Sequence, residues 1–352
     1  MQMKIKNLKI RKALLVVAVA VIVAGCNQDS KKADVFASAA KEKEMPMVYP
    51  CGFPVGIYMN TKGVMVIAAT QIIAKNGSLP SPCEGSLKKG DYITKIDGTE
   101  VETKENLISM VENCNGQPVT LHVVSDGQEF DLSVLPVKDH SEKYRLGIWI
   151  KDDVQGIGTM TYICEDGRFG ALGHPINDND TGVKVEVGKG GLYESQIRMI
   201  IRGSSGLPGS FCGIICYDKE SFLGNVYENN SRGIYGNISA LMKKRLNGAL
   251  MMQTAKRSEV SCGKALLRCC IEEELHDYEV EIIKADPYGT EGLQIKVTDP
   301  ELLEKTGGVI RGMSGSPLLK DGKIIGAVTH VFVNDPTKGY GIFIEDMLDA
   351  EE

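Results

Sequence analysis

Residues 309–330 read VIRGMSGSPLLKDGKIIGAVTH, a glycine-rich turn with two serines that leads into two short apolar segments. Hydrolysis by a serine needs a hydroxyl activated by a base, and N–H donors directed at the developing oxyanion. Glycines allow such a turn, with Ser314 as the nucleophile and the N–H groups of Gly312 and Ser314 as the oxyanion hole. Pro317 stiffens the chain beside Ser316, so we expect this second serine to support the loop. A purely structural turn also explains these residues.

The sequence around this turn consists of short apolar segments separated by turn residues. From residue 146 to near the C-terminus they include RLGIWI, IGTMTYI, VKVEVG, CGIICY and YEVEIIKA, and the chain holds 39 glycines. Strands at this spacing predict a β-barrel or a pair of barrels. Helical patterns are scarce, and residues 238–251 and 301–307 are the best candidates.

The base that would activate the serine is expected among five histidines. His174 lies in GRFGALGHPINDNDTG, a glycine-punctuated loop between predicted strands, and loops of this kind often present catalytic groups. It precedes Ser314 by roughly 140 residues. This order and separation resemble those of chymotrypsin-like peptidases, in which each of two β-barrels contributes one partner to the cleft. His330, which ends the strand after the serine turn, is the alternative base, although we expect it to line the wall of the cleft.

A second module is predicted over residues 48–136. Its segment GSLKKGDYITKIDGTEV (85–101) is typical of a loop, a strand and a tight turn, and an amphipathic helix is predicted over 103–114. These features resemble a PDZ domain, an α+β fold in which a ligand peptide adds a strand to a sheet edge. The resemblance implies that the peptide pairs with Val55, Gly56, Ile57 and Tyr58. A packing module without a ligand is the alternative.

The N-terminus predicts export. Residues 1–12 carry five positive charges and lead into ALLVVAVAVIVAG, which is short for a membrane span of about 20 residues. The run ends at Cys26 in the sequence VAGC, which resembles the lipidation site of bacterial lipoproteins. An uncleaved membrane anchor and full release after cleavage are the alternatives. Residues 27–47 are polar and predict a linker. All three possibilities place the rest of the chain outside the cytoplasm, and the first two attach it to a membrane.

Composition limits the function classes. With 43% apolar residues, 24% charged residues and a net charge of -6, the chain is expected to be globular and without a nucleic-acid partner. The ten cysteines have irregular spacings that favour small buried residues over a metal site. We therefore predict no metal and no cofactor.

Three longer segments carry a family resemblance: GRFGALGHPINDNDTG, FLGNVYENNSRGIYG and KVTDPELLEKTGGVIRGMSGSPLLKDGKIIGAVTHVFV. They resemble the stage IV sporulation protein B serine peptidases of endospore-forming bacteria, over roughly residues 48–349. The resemblance implies a mostly β protein, with a PDZ domain (48–136) followed by a chymotrypsin-like double β-barrel peptidase domain (137–349). It also implies an exported, membrane-associated serine endopeptidase that faces the space between forespore and mother cell. Such an enzyme cleaves itself and a membrane-bound regulator of an intramembrane metalloprotease, so that a mother-cell sigma factor is processed.

The resemblance also implies a catalytic set of His174, Ser314 and Asp299, the last in VTDPELL. Asp299 would orient the histidine and stabilise its cation. The same residue followed by Pro300 is typical of a helix start with an aspartate N-cap, so a purely structural role stays open. At the level of function, the alternative is a catalytically inactive, exported scaffold that carries a PDZ domain.

Overall fold

The computed structural model describes residues 44–272 and 274–351. The predicted export signal, Cys26 and most of the predicted linker lie outside these residues. From residue 45 onward the chain forms one compact unit. Strands dominate it, which confirms the predicted mostly β fold class. In the described part of the chain, no helix is both long and apolar enough to cross a membrane.

The elements follow in chain order. The first nine strands are β1 (Met47–Pro50), β2 (Pro54–Ala69), β3 (Tyr92–Ile96), β4 (Thr99–Glu100), β5 (Val119–Ser125), β6 (Gln128–Val134), β7 (Val137–Lys138), β8 (Tyr144–Arg145) and β9 (Ile148–Cys164). The remaining strands are β10 (Arg168–Ala171), β11 (Val187–Ile201), β12 (Ser210–Ile215), β13 (Phe222–Asn230), β14 (Gly233–Ile238), β15 (Met252–Thr254), β16 (Gly263–Ile271), β17 (Glu274–Asp286), β18 (Gly292–Val297), β19 (Pro317–Lys320), β20 (Lys323–Val331) and β21 (Lys338–Phe343). The α-helices are α1 (Lys104–Glu112), α2 (Ala240–Arg245), α3 (Pro300–Thr306) and α4 (Ile344–Asp349).

Six strands close the first barrel. Starting from β2, each is paired antiparallel with the next in the order β2, β9, β10, β14, β13 and β11, and β11 pairs back onto β2. Only residues 54–61 of β2 and 153–163 of β9 take part in this ring. Their inward-facing side chains, among them Val55, Ile57 and Phe169, form one buried core.

A second ring closes in the same way. Its order is β16, β17, β18, β21, β20 and β19, with β19 paired back onto β16, and every pair is antiparallel. Buried and exposed residues alternate along β17 and β18, because successive side chains of a strand point to opposite faces. A short link joins the two rings: β1 pairs with β9 and with β15, and β15 pairs with β20. Two six-stranded barrels are thus present, as predicted for the peptidase part.

The far ends of β2 and β9 leave the first barrel and build a third core. In this module the strand order is β9, β2, β3, β5 and β6, and helix α1 buries Leu107 and Val111 against the sheet. Thr103 caps the helix by accepting a hydrogen bond from the N–H of Asn106. The sheet and its single helix have the α+β composition predicted for the PDZ module.

This topology corrects the predicted position of the module along the chain. Residues 55–58 pair with β9 on one side and with β11 on the other, so they are interior strand residues of the first barrel. The PDZ-like module is therefore an insertion between two strands of that barrel, instead of a domain that precedes it. The predicted domain boundary at residue 137 therefore does not separate the PDZ-like module from the peptidase barrels.

The same pairings correct the predicted peptide site. A ligand strand needs a free sheet edge, and Val55, Gly56, Ile57 and Tyr58 have none because both of their edges are occupied. The side chains of Val55 and Ile57 are also buried in the barrel core. The prediction that these four residues bind a peptide is wrong.

Candidate active site

The serine turn is fixed by contacts with both barrels. Gly312 and Gly315 have φ angles of 102° and 96°, in the region that favours glycine. A Cβ at Gly312 would lie 2.5 Å from the ring of Phe211. From the first barrel, Thr159 donates its hydroxyl to the carbonyl of Gly312 (2.7 Å) and its N–H to the carbonyl of Ser314 (2.9 Å).

Two N–H groups of this turn are free to bind an oxyanion. The carbonyl of Arg311 accepts a hydrogen bond from the N–H of Phe211 (2.8 Å), and the carbonyl of Gly312 is held by Thr159. The N–H groups of Gly312 and Ser314 have no acceptor among the described residues. The predicted oxyanion donors are thus unoccupied, while the neighbouring carbonyls are engaged elsewhere.

The two serines of the turn differ in environment. Ser314 is partly buried and donates its hydroxyl to the carbonyl of Thr329 at 2.6 Å. Ser316 is fully buried, and its Oγ has no partner within the described part of the chain. Its N–H donates to the carbonyl of Met313 and its own carbonyl accepts from Val328, so its backbone braces the turn. This arrangement agrees with the predicted supporting role.

His174 follows strand β10 in the loop predicted to carry it. Its Nδ1 lies 2.7 Å from the carbonyl of Pro175, and because a carbonyl only accepts, Nδ1 carries the proton. Nε2 is then left with a lone pair. Burial lowers the pKa of His174 to about 4; the hydrogen bond to Pro175 opposes this shift, and nearby His330 adds to it.

His330 is a close neighbour of this base. The two imidazole rings are 4.6 Å apart between centroids and tilted by 37°. Burial also lowers the pKa of His330. At neutral pH both rings are therefore uncharged, and the pair can stack without repulsion.

The structure assigns Asp299 to the helix. Its Oδ1 accepts hydrogen bonds from the N–H groups of Glu301 (2.9 Å) and Leu302 (3.0 Å), as an N-cap does. Its Oδ2 accepts a weaker bond from the N–H of Glu279 (3.3 Å). Neither oxygen contacts His174, because both are directed at backbone N–H groups around the start of α3. Of the two predicted roles, the structure shows the cap.

Several residues that hold the His174 loop carried no signal in the sequence. Asn229 is buried on β13; its Oδ1 accepts from the N–H of Ile176 (2.8 Å), and its Nδ2 donates to the carbonyls of Ile176 (2.8 Å) and Val185 (2.9 Å). Lys151 on β9 forms ion pairs with Asp178, whose side chain is fully buried, and with Asp180. From sequence alone, an asparagine or a lysine inside a strand is indistinguishable from an ordinary surface residue, because its spatial neighbours come from distant segments.

A cleft of about 460 Å³ brings the candidate residues together. Ser314, Gly312, His174 and His330 all line it, and so does Ile57 from the first barrel. Asp299 does not, nor do Val55, Gly56 and Tyr58. The arrangement supplies a hydroxyl, a neutral imidazole and two free N–H donors, which are the groups that acyl transfer needs.

No group of three or more His, Cys, Asp or Glu side chains among residues 44–272 and 274–351 is arranged to hold a metal ion. Among the described residues the cysteines form no disulfide bond. Burial raises the pKa of Cys83 to about 11, which keeps this thiol protonated and unreactive at neutral pH.

A second cavity, of about 600 Å³, lies in the PDZ-like module. Apolar residues of α1 (Leu107, Ile108 and Val111) face the start of β9 across it. Residues 148–151 of β9 pair only with β2, so their other edge is unpaired among the described strands. At the end of this groove the N–H groups of Leu146 and Gly147 have no acceptor in the described part of the chain.

A comparison with protein families finds a match over the second half of the chain. A family model described as SpoIVB peptidase S55 matches residues 142–348. No curated protein matches the chain.

Solved structures show distant likeness only. A thermostable serine protease AL20 from an extremophilic microorganism is 11% identical, with 56% of this chain and 91% of that chain covered and a TM-score of 0.34. The HtrA-type protease AlgW with a decapeptide is 11% identical, with 57% and 53% covered and a TM-score of 0.31. The PDZ domain of an SdrC-like protein from Listeria monocytogenes is 21% identical, with 25% and 87% covered and a TM-score of 0.21.

The family model covers more than half of the chain, including the His174 loop, the serine turn, the whole second ring of strands and the first ring except for β2. The chain therefore belongs to the SpoIVB peptidase S55 family of serine peptidases.

Proposed function

We propose that Ser314 is the nucleophile of this serine endopeptidase and that His174 is its general base. The observation that carries the proposal is the cleft itself. It holds both side chains together with two N–H groups, those of Gly312 and Ser314, that have no acceptor among the described residues.

The chemistry follows from these groups. Rotation of the Ser314 side chain releases its hydroxyl from the carbonyl of Thr329, and the hydroxyl proton passes to Nε2 of His174 as Oγ bonds to the substrate carbonyl carbon. The oxyanion accepts hydrogen bonds from Gly312 and Ser314. When the C–N bond breaks, the imidazolium returns its proton to the leaving amine, and water then hydrolyses the acyl-serine with the same base.

Labelling by a fluorophosphonate probe tests the two roles. The wild type is expected to be labelled, Ser314→Ala to be unlabelled, and His174→Ala to be labelled at least about a hundredfold more slowly. Ser316→Ala is the matched control, because that serine is two residues away, buried and outside the cleft. It should be labelled like the wild type.

Three results would contradict the assignment. Loss of labelling in Ser316→Ala with retained labelling in Ser314→Ala would make Ser316 the nucleophile. A folded wild type that no probe labels would favour an inactive, PDZ-bearing scaffold. Retained labelling in His174→Ala together with its loss in His330→Ala would move the base to His330.

The finer physiological role rests on the family resemblance. The chain is proposed to act after export, attached to a membrane through its N-terminal segment or through Cys26, at the forespore surface that faces the mother cell. Its substrates would be itself and a membrane-bound regulator of an intramembrane metalloprotease, so that a sigma factor is processed. Mass analysis of the mature N-terminus, and cleavage of the co-expressed regulator by wild type but not by Ser314→Ala, test these statements.

The PDZ-like module is proposed to bind a peptide terminus, at the groove between α1 and the start of β9 instead of at residues 55–58. The groove has the unpaired strand edge and apolar wall that an added peptide strand needs, and the N–H groups of Leu146 and Gly147 can bind a terminal carboxylate.

Peptides with an apolar C-terminal residue test this site. Binding is expected with a free carboxylate and should fall at least about tenfold when the terminus is amidated. Gly147→Val should abolish binding, because Gly147 has a φ of 68° and a Cβ there would lie 2.6 Å from the carbonyl oxygen of Thr70. Equal binding of both peptide forms would refute carboxylate recognition.

A further inference from the structure

Five aliphatic side chains from three separate segments line the cleft and define what we call its apolar end: Val309, Ile310, Val331, Val333 and Pro208. The first two precede the serine turn and are almost fully buried, with 2% and 1% of their surface exposed. These two residues therefore expose little surface to water before a substrate enters.

The wall is also rigid. The N–H of Val309 donates to the carbonyl of Pro336 (2.8 Å), and the N–H of Arg311 donates to the carbonyl of Gly209 (2.9 Å). The carbonyl of Arg311 accepts from Phe211 in return. Segment 309–311 thus runs between the β11–β12 connection and the chain before β21, with its backbone held on both sides.

No carboxylate faces this space. The ionisable side chains that line the cleft in the described structure are His174, His330 and Arg311. The two imidazoles are neutral at pH 7, because burial lowers the pKa of each. Arg311 is left as the only charge, and it has no ion-pair partner within the described residues.

The oxyanion donors fix which substrate residue meets this wall. A carbonyl bound by the N–H groups of Gly312 and Ser314 belongs to the residue on the acyl side of the scissile bond. That residue lies next to the backbone that leads into these donors, which is segment 309–311. Its side chain then enters the apolar end of the cleft.

Resting on the proposed function, we propose that the cleft selects substrates with an apolar residue on the acyl side of the scissile bond and rejects a basic residue there. Burying an ammonium or guanidinium group in this space leaves it without a counter-ion, and Arg311 repels it. An apolar side chain gains free energy by leaving water for this apolar surface.

Four internally quenched peptides, identical except for Leu, Val, Phe or Lys at the acyl-side position, test the proposal with the full chain. The kcat/KM for Leu, Val or Phe is expected to exceed that for Lys by at least about tenfold. A Lys peptide that is cleaved as well as the best apolar one would overturn it.

The variant Val333→Asp is expected to weaken the selection against a basic acyl-side residue. Val333 is 54% exposed, so Val333→Asp places a carboxylate at the cleft without disturbing the core, and the ratio of kcat/KM for Lys to that for Leu should rise about tenfold. Leu79→Asp is the matched control, since Leu79 is equally exposed at 54% but lies in the PDZ-like module. A ratio unchanged by Val333→Asp would show that the acyl-side residue does not meet this wall.

Fluorophosphonate labelling of the same protein preparation accompanies the peptide assays. It distinguishes a failure of the inferred selectivity from a failure of the proposed nucleophile. If the probe labels Ser314 while basic peptides are preferred, only the inferred selectivity is wrong. If nothing labels Ser314, the proposed nucleophile is wrong as well.

Discussion

The hydroxyl of Ser314 and the Nδ1–H of His174 both donate to backbone carbonyls, those of Thr329 and Pro175. Among the described residues no carboxylate contacts either group. A carbonyl fixes the tautomer of an imidazole, as an aspartate does, but it adds no negative charge to stabilise the imidazolium. The imidazole of His174 is kept neutral by its burial, which lowers its pKa.

This environment predicts an unusual pH dependence. Because burial holds the pKa of His174 at about 4, the acid limb of kcat/KM should fall near pH 4 and not near the ordinary value of about 6.5. His330→Gln removes a neighbour that lowers this pKa, so its acid limb should move to higher pH. Labelling rates measured between pH 3.5 and 8 give the position of the acid limb for the wild type and for His330→Gln. A wild-type limb near pH 6.5 would contradict the buried, neutral base.

Folding stability should follow the same titration. The pKa of His174 is lower in the folded chain than in the unfolded chain, so the unfolded chain takes up the proton first as the pH falls. The contribution of His174 to the free energy of unfolding is therefore complete above about pH 6.5 and decreases as the pH is lowered towards 4. Urea unfolding of wild type and His174→Gln at pH 7.5 and 5 should show a smaller decrease in the variant.

Asp299 can be tested apart from catalysis. Asp299→Ala removes the N-cap of α3 and should lower the free energy of unfolding by about 1 kcal/mol. Asp299→Asn keeps an oxygen for the cap but no charge, so it should retain both stability and labelling rate. Thermal unfolding and probe labelling of the two variants separate the roles. Normal stability with lost labelling in Asp299→Asn would mean that the carboxylate is catalytic.

At the scale of elements, strand β9 serves two modules. Its first residues form the unpaired edge of the proposed peptide groove, and the rest of the strand closes the first barrel. At the crossing point Asp152 accepts from the N–H of Lys104 (2.9 Å) and from its Nζ (2.8 Å) at the start of α1. Adjacent Lys151 pairs with Asp178 in the loop that follows His174. One strand therefore touches both the groove helix and the catalytic loop.

Lys151→Met should loosen the catalytic loop. It leaves the fully buried carboxylate of Asp178 without its cation, and an unpaired buried charge is strongly destabilising. We expect a fall in thermal stability and a loss in labelling rate of at least about tenfold. Lys184→Met is the control, because its partner Glu186 is exposed and such surface pairs contribute about 0–1 kcal/mol. Equal effects of the two variants would argue against a special role for Lys151.

At the scale of the whole molecule, the inserted module predicts where the chain tolerates excision. The sequence predicts the PDZ domain as residues 48–136. Removal of this range deletes β2 and opens the first barrel, so the shortened chain should not unfold cooperatively. Residues 60 and 153 are cross-strand partners, so an Asn-Gly turn in place of 61–152 should close β2 and β9 as a hairpin.

Thermal unfolding followed by circular dichroism compares the two excised chains. A cooperative transition is expected only for the chain in which 61–152 is replaced. Cooperative unfolding of the chain that lacks 48–136 would show that β2 is dispensable to the first barrel.

Much of this could be predicted from local sequence. The serine turn and the His174 loop carry glycines at positions with positive φ, a requirement of the local backbone. The pattern of short apolar segments predicts strands, and Asp299-Pro300 predicts a helix start. Asn229 and Lys151 could not be predicted as loop supports, because their partners lie far away in the chain.

Local sequence is enough to predict a mostly β chain, Ser314 and His174 as the candidates for acyl transfer, and the family resemblance. The folded chain adds that residues 55–58 are interior strand residues, that the PDZ-like module is inserted into the first barrel, and that Asp299 caps a helix. The difference arises because a strand and a turn follow from neighbouring residues. Which edge of a strand is free, and which carboxylate faces which imidazole, depends on pairings between distant segments.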